Sequence, residues 1–247
     1  MELIGALLAG CAIGAVLGFV GAGGAMLTVP ILVYGFDYSP SQASVAAIAV
    51  VIVAASSGLY PRIKSSEVLI KEALLISGFG IFANIGAAQL VKNISEQFLI
   101  TGFSAVIIFA GFTMLRKPVT APEKPIPFPI LILLSLVIGS LTGFFGIGGG
   151  FLAIPVLVLA FNTPQNKAAG TSLLIIALNS VIALFAHYES WAEINWQVPI
   201  FMGLSAVIIG NLAGKRSAKT NPVLLRQSFA ALLFAIATFT LIETWFI

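Results

Sequence analysis

The chain has 247 residues, of which 59% are hydrophobic and only 9% are charged, and its mean hydropathy is +1.09. This composition excludes an ordinary soluble domain and predicts a polytopic membrane protein. The net charge of +3 comes from Lys and Arg in short segments between apolar runs. Such placement is typical of a membrane orientation signal and argues against a nucleic-acid site.

Ten apolar runs follow one another along the chain. They cover residues 3–19, 25–35, 43–59, 68–91, 98–115, 130–145, 151–161, 168–186, 198–213 and 224–242. Most of them approach the ~20 residues with which a helix crosses a bilayer. The second and the seventh hold 11 residues each. At about 1.5 Å per residue they reach roughly half of a ~30 Å hydrocarbon core, so both are predicted to be half-helices.

Each half-helix follows a glycine-rich motif, and the two motifs are copies of one another. GFVGAGGAMLTVP at residues 18–30 returns as GFFGIGGGFLAIP at residues 143–155, with seven of thirteen positions identical. Glycine weakens a helix and proline interrupts one, so the chain is expected to break at both motifs. The spacing predicts an internal duplication.

The duplication divides the chain into two halves. Residues 1–115 form the first transmembrane repeat and residues 130–247 the second. Between them, residues 116–129 contain five prolines and several charges, which predicts a non-helical linker in the cytoplasm. Weaker matches, such as Pro40 with Pro164, extend the duplication beyond the motifs.

Loop charges predict that the two repeats have opposite orientations in the membrane. The segment 61–71, which includes Arg62, is basic, whereas its counterpart 187–197 has no Lys or Arg. The next pair of equivalent segments shows the opposite charge difference: 92–97 in the first half has a single lysine, whereas 215–226 in the second half is strongly basic. Because Lys and Arg favour the cytoplasmic side, the repeats are predicted to be inverted, with both termini outside. Merging each hairpin into one helix would give parallel halves and conflicts with these charges.

The predicted fold is therefore an all-α polytopic membrane protein with two inverted-topology repeats. Each repeat is a glycine-broken helical hairpin followed by three transmembrane helices, which makes 8–10 helical segments in total. The two glycine turns would enter from opposite faces and meet near the midplane. Broken helices that meet at that depth are typical of secondary transporters.

A half-helix that starts after a glycine turn presents free backbone N–H groups and a positive dipole end. This arrangement suits a small anion without any buried Lys or Arg. Nearby polar side chains in the apolar runs complete the predicted substrate site. The candidates are Gly21, Gly23, Gly24, Gly146, Gly148, Gly149, Ser44, Thr171, Ser172 and Asn179.

Each candidate also has a purely structural interpretation. Small residues at four-residue spacing let helices approach closely, which is the favoured interpretation of Gly14, Gly18, Gly139 and Gly143. A lone Ser or Thr commonly bonds a carbonyl of its own helix. Asn179 could equally join two helices or contact a ligand.

Residue types needed for metal binding or catalysis are scarce. There is one cysteine and one histidine, and no carboxylate falls in the middle of an apolar run. The sequence therefore predicts no metal, no cofactor and no enzymatic activity. It also predicts no midplane carboxylate for coupling transport to protons or sodium.

The two motifs, the NKAAGTSLL segment at residues 166–174 and the duplicated length resemble the sulfite exporter TauE/SafE family. The resemblance covers the full chain. It implies a transporter of small sulfur-containing or carboxylate anions, such as sulfite, sulfoacetate or related organosulfonates, in a prokaryotic inner membrane. In the repeat register, residues 170–172 correspond to Ala46, Ala47 and Ile48, which leaves Ser44 as a nearby hydroxyl in the first half.

The leading hypothesis is an exporter that works by alternating access around a midplane site between the broken helices. An anion channel, or an uptake permease for sulfonates or carboxylates, remains the alternative. The expected partners are the anionic substrate and the lipid bilayer, without nucleic acid, and a homodimer is left open. An interior-negative potential of ~100 mV favours outward movement by about 2.3 kcal/mol per negative charge, so export needs no coupling ion.

Overall fold

A computed structural model describes residues 2–90, 95–116, 126–145 and 150–246 of the chain. In these ranges it contains ten α-helices and a 3₁₀-helix, Tyr188–Glu193. The α-helices are α1 Glu2–Val20, α2 Gly24–Phe36, α3 Pro40–Lys64, α4 Ile70–Leu90, α5 Glu96–Arg116, α6 Phe128–Phe145, α7 Gly150–Phe161, α8 Gln165–Ala186, α9 Gln197–Ser217 and α10 Pro222–Phe246.

Every predicted apolar run forms a helix, and the predicted all-α membrane fold is confirmed. Among the described residues, seven helices are long and apolar enough to cross a membrane. The two segments predicted to be half-helices are short: α2 has 13 residues and α7 has 12. The protein is therefore an integral membrane protein in which the short helices α2 and α7 stand among longer ones.

Helix α3 is longer than the apolar run that predicted it. Ser39 caps its start, because the Ser39 hydroxyl accepts a bond from the Gln42 backbone N–H while the Gln42 side chain bonds the Ser39 N–H. Pro40 occupies the first turn, where its missing N–H is harmless. At its other end the helix continues past Pro61 to Lys64. Arg62 therefore lies in a helix, and its expected position in a loop is wrong.

Helices α1, α3 and α9 run side by side in the same direction. A Cβ on Gly14 would lie 2.5 Å from the Ala206 carbonyl oxygen, and one on Gly18 would lie 2.3 Å from that of Gly210. On the other side of the molecule, a Cβ on Gly139 in α6 would lie 2.1 Å from the Gly80 carbonyl oxygen in α4. These three glycines serve close packing, as predicted. Gly143 lies in helix α6, but its surroundings are not among the described features.

Because α1, α3 and α9 are parallel, their N-terminal ends lie at one face of the molecule and their C-terminal ends at the other. At their C-terminal ends lie Arg62, Lys64, Lys215 and Arg216, and we call this end the basic face. At the opposite face, the Tyr38 hydroxyl donates a hydrogen bond to the Asn195 carbonyl oxygen.

The remaining helix directions follow from hydrogen bonds between helices. Helix α8 starts at the basic face, where Arg62 bonds the Asn166 carbonyl oxygen, so α8 runs opposite to α3. Helix α5 is antiparallel to α10, because Thr101 near the start of α5 bonds Trp245 near the end of α10. The start of α1 and the end of α10 both lie at the opposite face.

Candidate functional site

The first glycine motif breaks the chain between α1 and α2. Gly21 and Gly23 adopt the left-handed conformation, with φ of 85° and 88°. The Gly21 N–H still bonds the Leu17 carbonyl oxygen at 2.8 Å, which closes α1. A Cβ on Gly21 would lie 2.6 Å from the Ala169 Cβ and 2.8 Å from its Cα. Only glycine therefore allows this turn to rest directly on the backbone of α8.

Beside the turn lies a fully buried arginine, Arg62 of α3. Its Nη2 donates to the carbonyl oxygens of Gly18 and Phe19, both at 3.1 Å, and to the Ser217 Oγ at 2.6 Å. Its Nη1 donates to the Asn166 carbonyl oxygen at 2.9 Å. The Ser217 hydroxyl in turn donates to the Phe19 carbonyl oxygen at 2.7 Å. One guanidinium thus joins α1, α3, α8 and α9, and we call these contacts the Arg62 network.

The Arg62 network changes the electrostatics of the break. The last carbonyls of a helix lack intrahelical partners and carry the negative end of its dipole. Arg62 bonds two such carbonyls of α1, those of Gly18 and Phe19, and so neutralises that end. Gly23 is the N-cap residue of α2, and no side-chain hydrogen bond caps this end of the helix in the described part of the chain. The start of α2, with its positive dipole end, follows the carbonyls bound by Arg62 after only a few residues.

Glu67 is the carboxylate associated with this network. Its Oε1 accepts a hydrogen bond from the Asn166 Nδ2 at 3.2 Å. Its buried Oε2 has no hydrogen-bond partner in the described part of the chain, and neither does the Nε of Arg62. All the hydrogen bonds described for Arg62 go to neutral oxygens.

The sequence indicated that the half-helix starts suit an anion without any buried Lys or Arg, whereas the structure places a buried arginine, Arg62, next to the first glycine turn. Sequence reasoning missed Arg62 because the residue follows the predicted apolar run by only three positions. A basic residue at that position ordinarily extends to the water at the membrane surface. In this protein, the continuation of α3 past Pro61 directs the side chain inward instead.

The candidates on α8 lie at different distances from the turn. Thr171 is two residues beyond Ala169 and fully buried, but its hydroxyl donates to the Lys167 carbonyl oxygen at 2.7 Å and accepts from the Leu69 N–H at 3.0 Å. Thr171 thus holds the start of α4 in place. Ser172 is also buried next to it. Asn179 lies about 12 Å farther along the helix axis, given ~1.5 Å per residue; its buried Oδ1 has no hydrogen-bond partner among the described residues.

Ser44 is separated from the glycine turn. Its Oγ donates to the Pro40 carbonyl oxygen at 2.8 Å, in the first turn of α3 at the opposite face. The turn lies at the level of Gly58, because a Cβ on Gly58 would lie 3.0 Å from the Gly18 Cα. The rise of α3 between these positions is about 20 Å. The second glycine turn, with Gly146, Gly148 and Gly149, lies outside the described residues.

A cavity of about 550 Å³ connects the region of the turn with the opposite face. Its walls come from α2, α5 and α10, with Ser44 from α3, and most of its lining is apolar. The lining residues are Met26, Leu27, Val29, Pro30, Ile31, Ser44, Phe103, Leu232, Ala235, Ile236, Phe239, Thr240 and Glu243. Leu232 marks its deep end, since a Cβ on Gly23 would lie 2.8 Å from the Leu232 side chain. At the other end, the Tyr34 hydroxyl donates a hydrogen bond to the Glu243 carboxylate and joins α2 to α10.

The described residues contain no group of three or more His, Cys, Asp or Glu side chains that could hold a metal ion. Around the break, the Arg62 guanidinium and the start of α2 offer hydrogen-bond donors and positive charge, and the Glu67 carboxylate lies at the edge of the same network. A guanidinium and an uncapped helix N-terminus both favour oxyanions.

Comparisons with known proteins identify the family. The model of the sulfite exporter TauE/SafE family matches residues 6–240. A probable membrane transporter protein of Xylella fastidiosa is 27% identical over 254 residues, which cover 99% of this chain and 97% of that protein. One of Bacillus subtilis is 26% identical, with 92% and 94% covered, and one of Methanocaldococcus jannaschii is 32% identical over 117 residues, with 45% and 43% covered. No solved structure matches the chain.

Proposed function

The chain belongs to the sulfite exporter TauE/SafE family, and from this premise we propose that it exports a small sulfur-containing anion, such as sulfite or an organosulfonate like sulfoacetate. The family and its probable membrane transporters make the protein a membrane transporter and not an enzyme.

One observation carries the substrate class: the buried Arg62 beside the uncapped start of α2. Arg62 neutralises the negative end of α1, so the positive dipole of α2 is left uncompensated at Gly23 and Gly24. Sulfite and sulfonate groups present several oxygens that accept hydrogen bonds from backbone N–H and guanidinium donors. A small oxyanion is the ligand that this charge arrangement stabilises best.

The cavity and the Arg62 network suggest how access alternates. The cavity gives an anion a route from the opposite face to the start of α2. Toward the basic face, the route is closed where Arg62 binds residues of α1, α8 and α9. We assign the structure to a state open to the opposite face. In the other state, substrate oxygens would replace carbonyl oxygens around Arg62 and the network would separate.

The orientation in the membrane is part of the proposal. The basic face would lie in the cytoplasm, because Lys and Arg are enriched there. Both chain ends would then lie on the outer side of the prokaryotic inner membrane. An inverted repeat is supported by the opposite directions of α3 and α8, which occupy equivalent places in the two halves, and by those of α5 and α10.

The driving force follows from the charge of the substrate. An interior-negative potential of ~100 mV moves each negative charge outward with about 2.3 kcal/mol, which is enough for export without a coupled ion. The alternatives are an anion channel with the same positively charged site and an uptake permease for sulfonates or carboxylates.

Counterflow separates a transporter from a channel. Proteoliposomes loaded with a high concentration of unlabelled sulfite or sulfoacetate are expected to accumulate labelled external substrate transiently above equilibrium. Alternating access requires this exchange, because one site serves both sides in turn. The control is the same vesicle clamped at zero potential with chloride inside. Equilibration of label without an overshoot, at every internal concentration, would indicate a channel and refute alternating access.

A further inference from the structure

A second feature lies outside the proposed transport route, on the exposed side of α3 and α9. There, a cavity of about 550 Å³ at the basic face lies between the ends of the two helices. Its lining includes four cationic side chains and no acidic one. The lining residues are Tyr60, Pro61, Lys64, Ser65, Leu212, Lys215, Arg216, Ala218 and Lys219. We call this cavity the basic pocket.

An apolar cavity of about 280 Å³ continues along the same pair of helices toward the opposite face. Its walls include Val50 and Val53 of α3 with Leu204 and Val207 of α9. On α3, the lining residues Val50, Val53, Tyr60 and Lys64 are separated by three, seven and four positions and so lie on one stripe of the helix. From Val50 to Lys64 this stripe is about 21 Å long. We call the whole feature the α3–α9 groove.

Several side chains of the groove are exposed, although Val50 is buried. Val53 is 39% exposed, Leu204 57% and Tyr60 52%. At the basic end, the Lys64 ammonium lies over the Tyr60 ring, 4.6 Å from its centroid. An apolar strip that ends in a cationic cluster is therefore open to the surface over the thickness of one leaflet and its head groups.

We propose that the α3–α9 groove binds one anionic phospholipid, with its phosphate among the cations of the basic pocket and an acyl chain along the apolar strip. The charge favours an anion at one end only, and the ~21 Å between Lys64 and Val50 accommodates a phosphate followed by part of one acyl chain. A second copy of this chain is a poorer occupant. Two copies inserted in the same direction about a two-fold axis would bring their basic pockets together at the same depth, where like charges repel.

Native mass spectrometry of the full-length protein in detergent tests this assignment. The probes are dioleoyl phosphatidylglycerol, dioleoyl phosphatidylcholine and inorganic phosphate, each titrated separately. We expect one phosphatidylglycerol to bind with saturation and at least tenfold more tightly than phosphatidylcholine. Each neutralised lysine should weaken that binding about fivefold, so that the K64Q/K215Q/K219Q variant loses roughly a hundredfold.

The matched control is Lys71→Gln, which removes one exposed positive charge near the same face but outside the groove. It should bind phosphatidylglycerol as the wild type does, whereas Lys215→Gln alone should lose about fivefold. The lysines are exposed, so folding survives their replacement and is checked by the thermal midpoint.

Three results would each overturn the assignment. Equal binding of both phospholipids would show that the cations recognise no headgroup charge. Inorganic phosphate that binds as tightly as phosphatidylglycerol would make the basic pocket a site for a soluble anion. A dimer whose formation displaces phosphatidylglycerol would place a second copy in the groove.

Discussion

Replacement of Arg62 by methionine is expected to destabilise the protein by about 3 kcal/mol or more and to abolish anion flux. Methionine keeps an apolar stem of similar length but removes every donor of the Arg62 network. The carbonyl oxygens of Gly18 and Asn166 would then lose a buried partner, at about 1–3 kcal/mol for each unsatisfied group. The negative end of α1 would also be exposed beside the substrate site.

Thermal unfolding in detergent measures the first effect and proteoliposome flux the second. Lys71→Met is the control, because Lys71 is exposed near the same face, and it should leave both unchanged. Arg62→Lys keeps the charge but loses the planar fork of donors, so it should recover part of the flux and little of the stability. An Arg62→Met protein with the thermal midpoint and flux of the wild type would remove Arg62 from the site.

Gly21→Ala is expected to destabilise the protein by about 2–5 kcal/mol and to reduce flux at least tenfold. The backbone at Gly21 has φ of 85°, which costs an L residue about 1–2 kcal/mol. The added methyl would lie 2.6 Å from the Ala169 Cβ and 2.8 Å from the Ala169 carbonyl oxygen, so the turn must move away from α8. Forced repacking of this kind typically costs a further ~1–3 kcal/mol.

The matched control for this variant is Gly78→Ala in α4. Nothing lies within 4 Å of a Cβ at Gly78, and the residue is exposed in a regular helix. Alanine should therefore stabilise the protein by about 0.5–1 kcal/mol, so the two substitutions have opposite signs. Thermal midpoints of both variants, measured together, give the comparison. Equal midpoints for Gly21→Ala and Gly78→Ala would contradict the close seating of the turn on α8.

Helix positions could be predicted from the sequence because membrane helices require long apolar runs and breaks require special residues. The run at residues 25–35 and the glycines before it placed α2 to within one residue at each end. Packing glycines could be predicted as well, since Gly14 and Gly18 share one face of α1 at four-residue spacing. For these helices and glycines, the local sequence pattern was enough to predict what the tertiary structure shows.

The site itself could be predicted only in part. The glycine turn follows from local conformation, but the burial of Arg62 depends on contacts with residues more than 40 positions away, such as Gly18 and Asn166. Ser44 was assigned to the site as a hydroxyl near the repeat positions of residues 170–172, whereas its place at the start of α3 puts it on the opposite face. Whether two residues are neighbours depends on their depth in the membrane, and the alignment of the two repeats does not give that depth.

Thr171 illustrates a second limit. A hydroxyl in an apolar run is compatible with a ligand contact or with structure, and the sequence alone does not distinguish them. Here the hydroxyl already accepts from the Leu69 N–H and donates to the Lys167 carbonyl oxygen. The first bond joins α8 to the start of α4, about 100 residues earlier in the chain, and the second lies within α8. Only the three-dimensional structure shows that the hydroxyl is occupied in this way.

The central claim is that the protein transports a small sulfur-containing anion through a positively charged site at the break between α1 and α2. Potential-driven flux in proteoliposomes tests this claim most directly. Sulfite, sulfoacetate, oxalate and chloride would be compared under an imposed potential and without a pH gradient. We predict saturable flux of sulfite or sulfoacetate that follows the potential and exceeds chloride flux at least tenfold. Flux that requires a pH gradient, or no flux of any of the four anions, would contradict the claim.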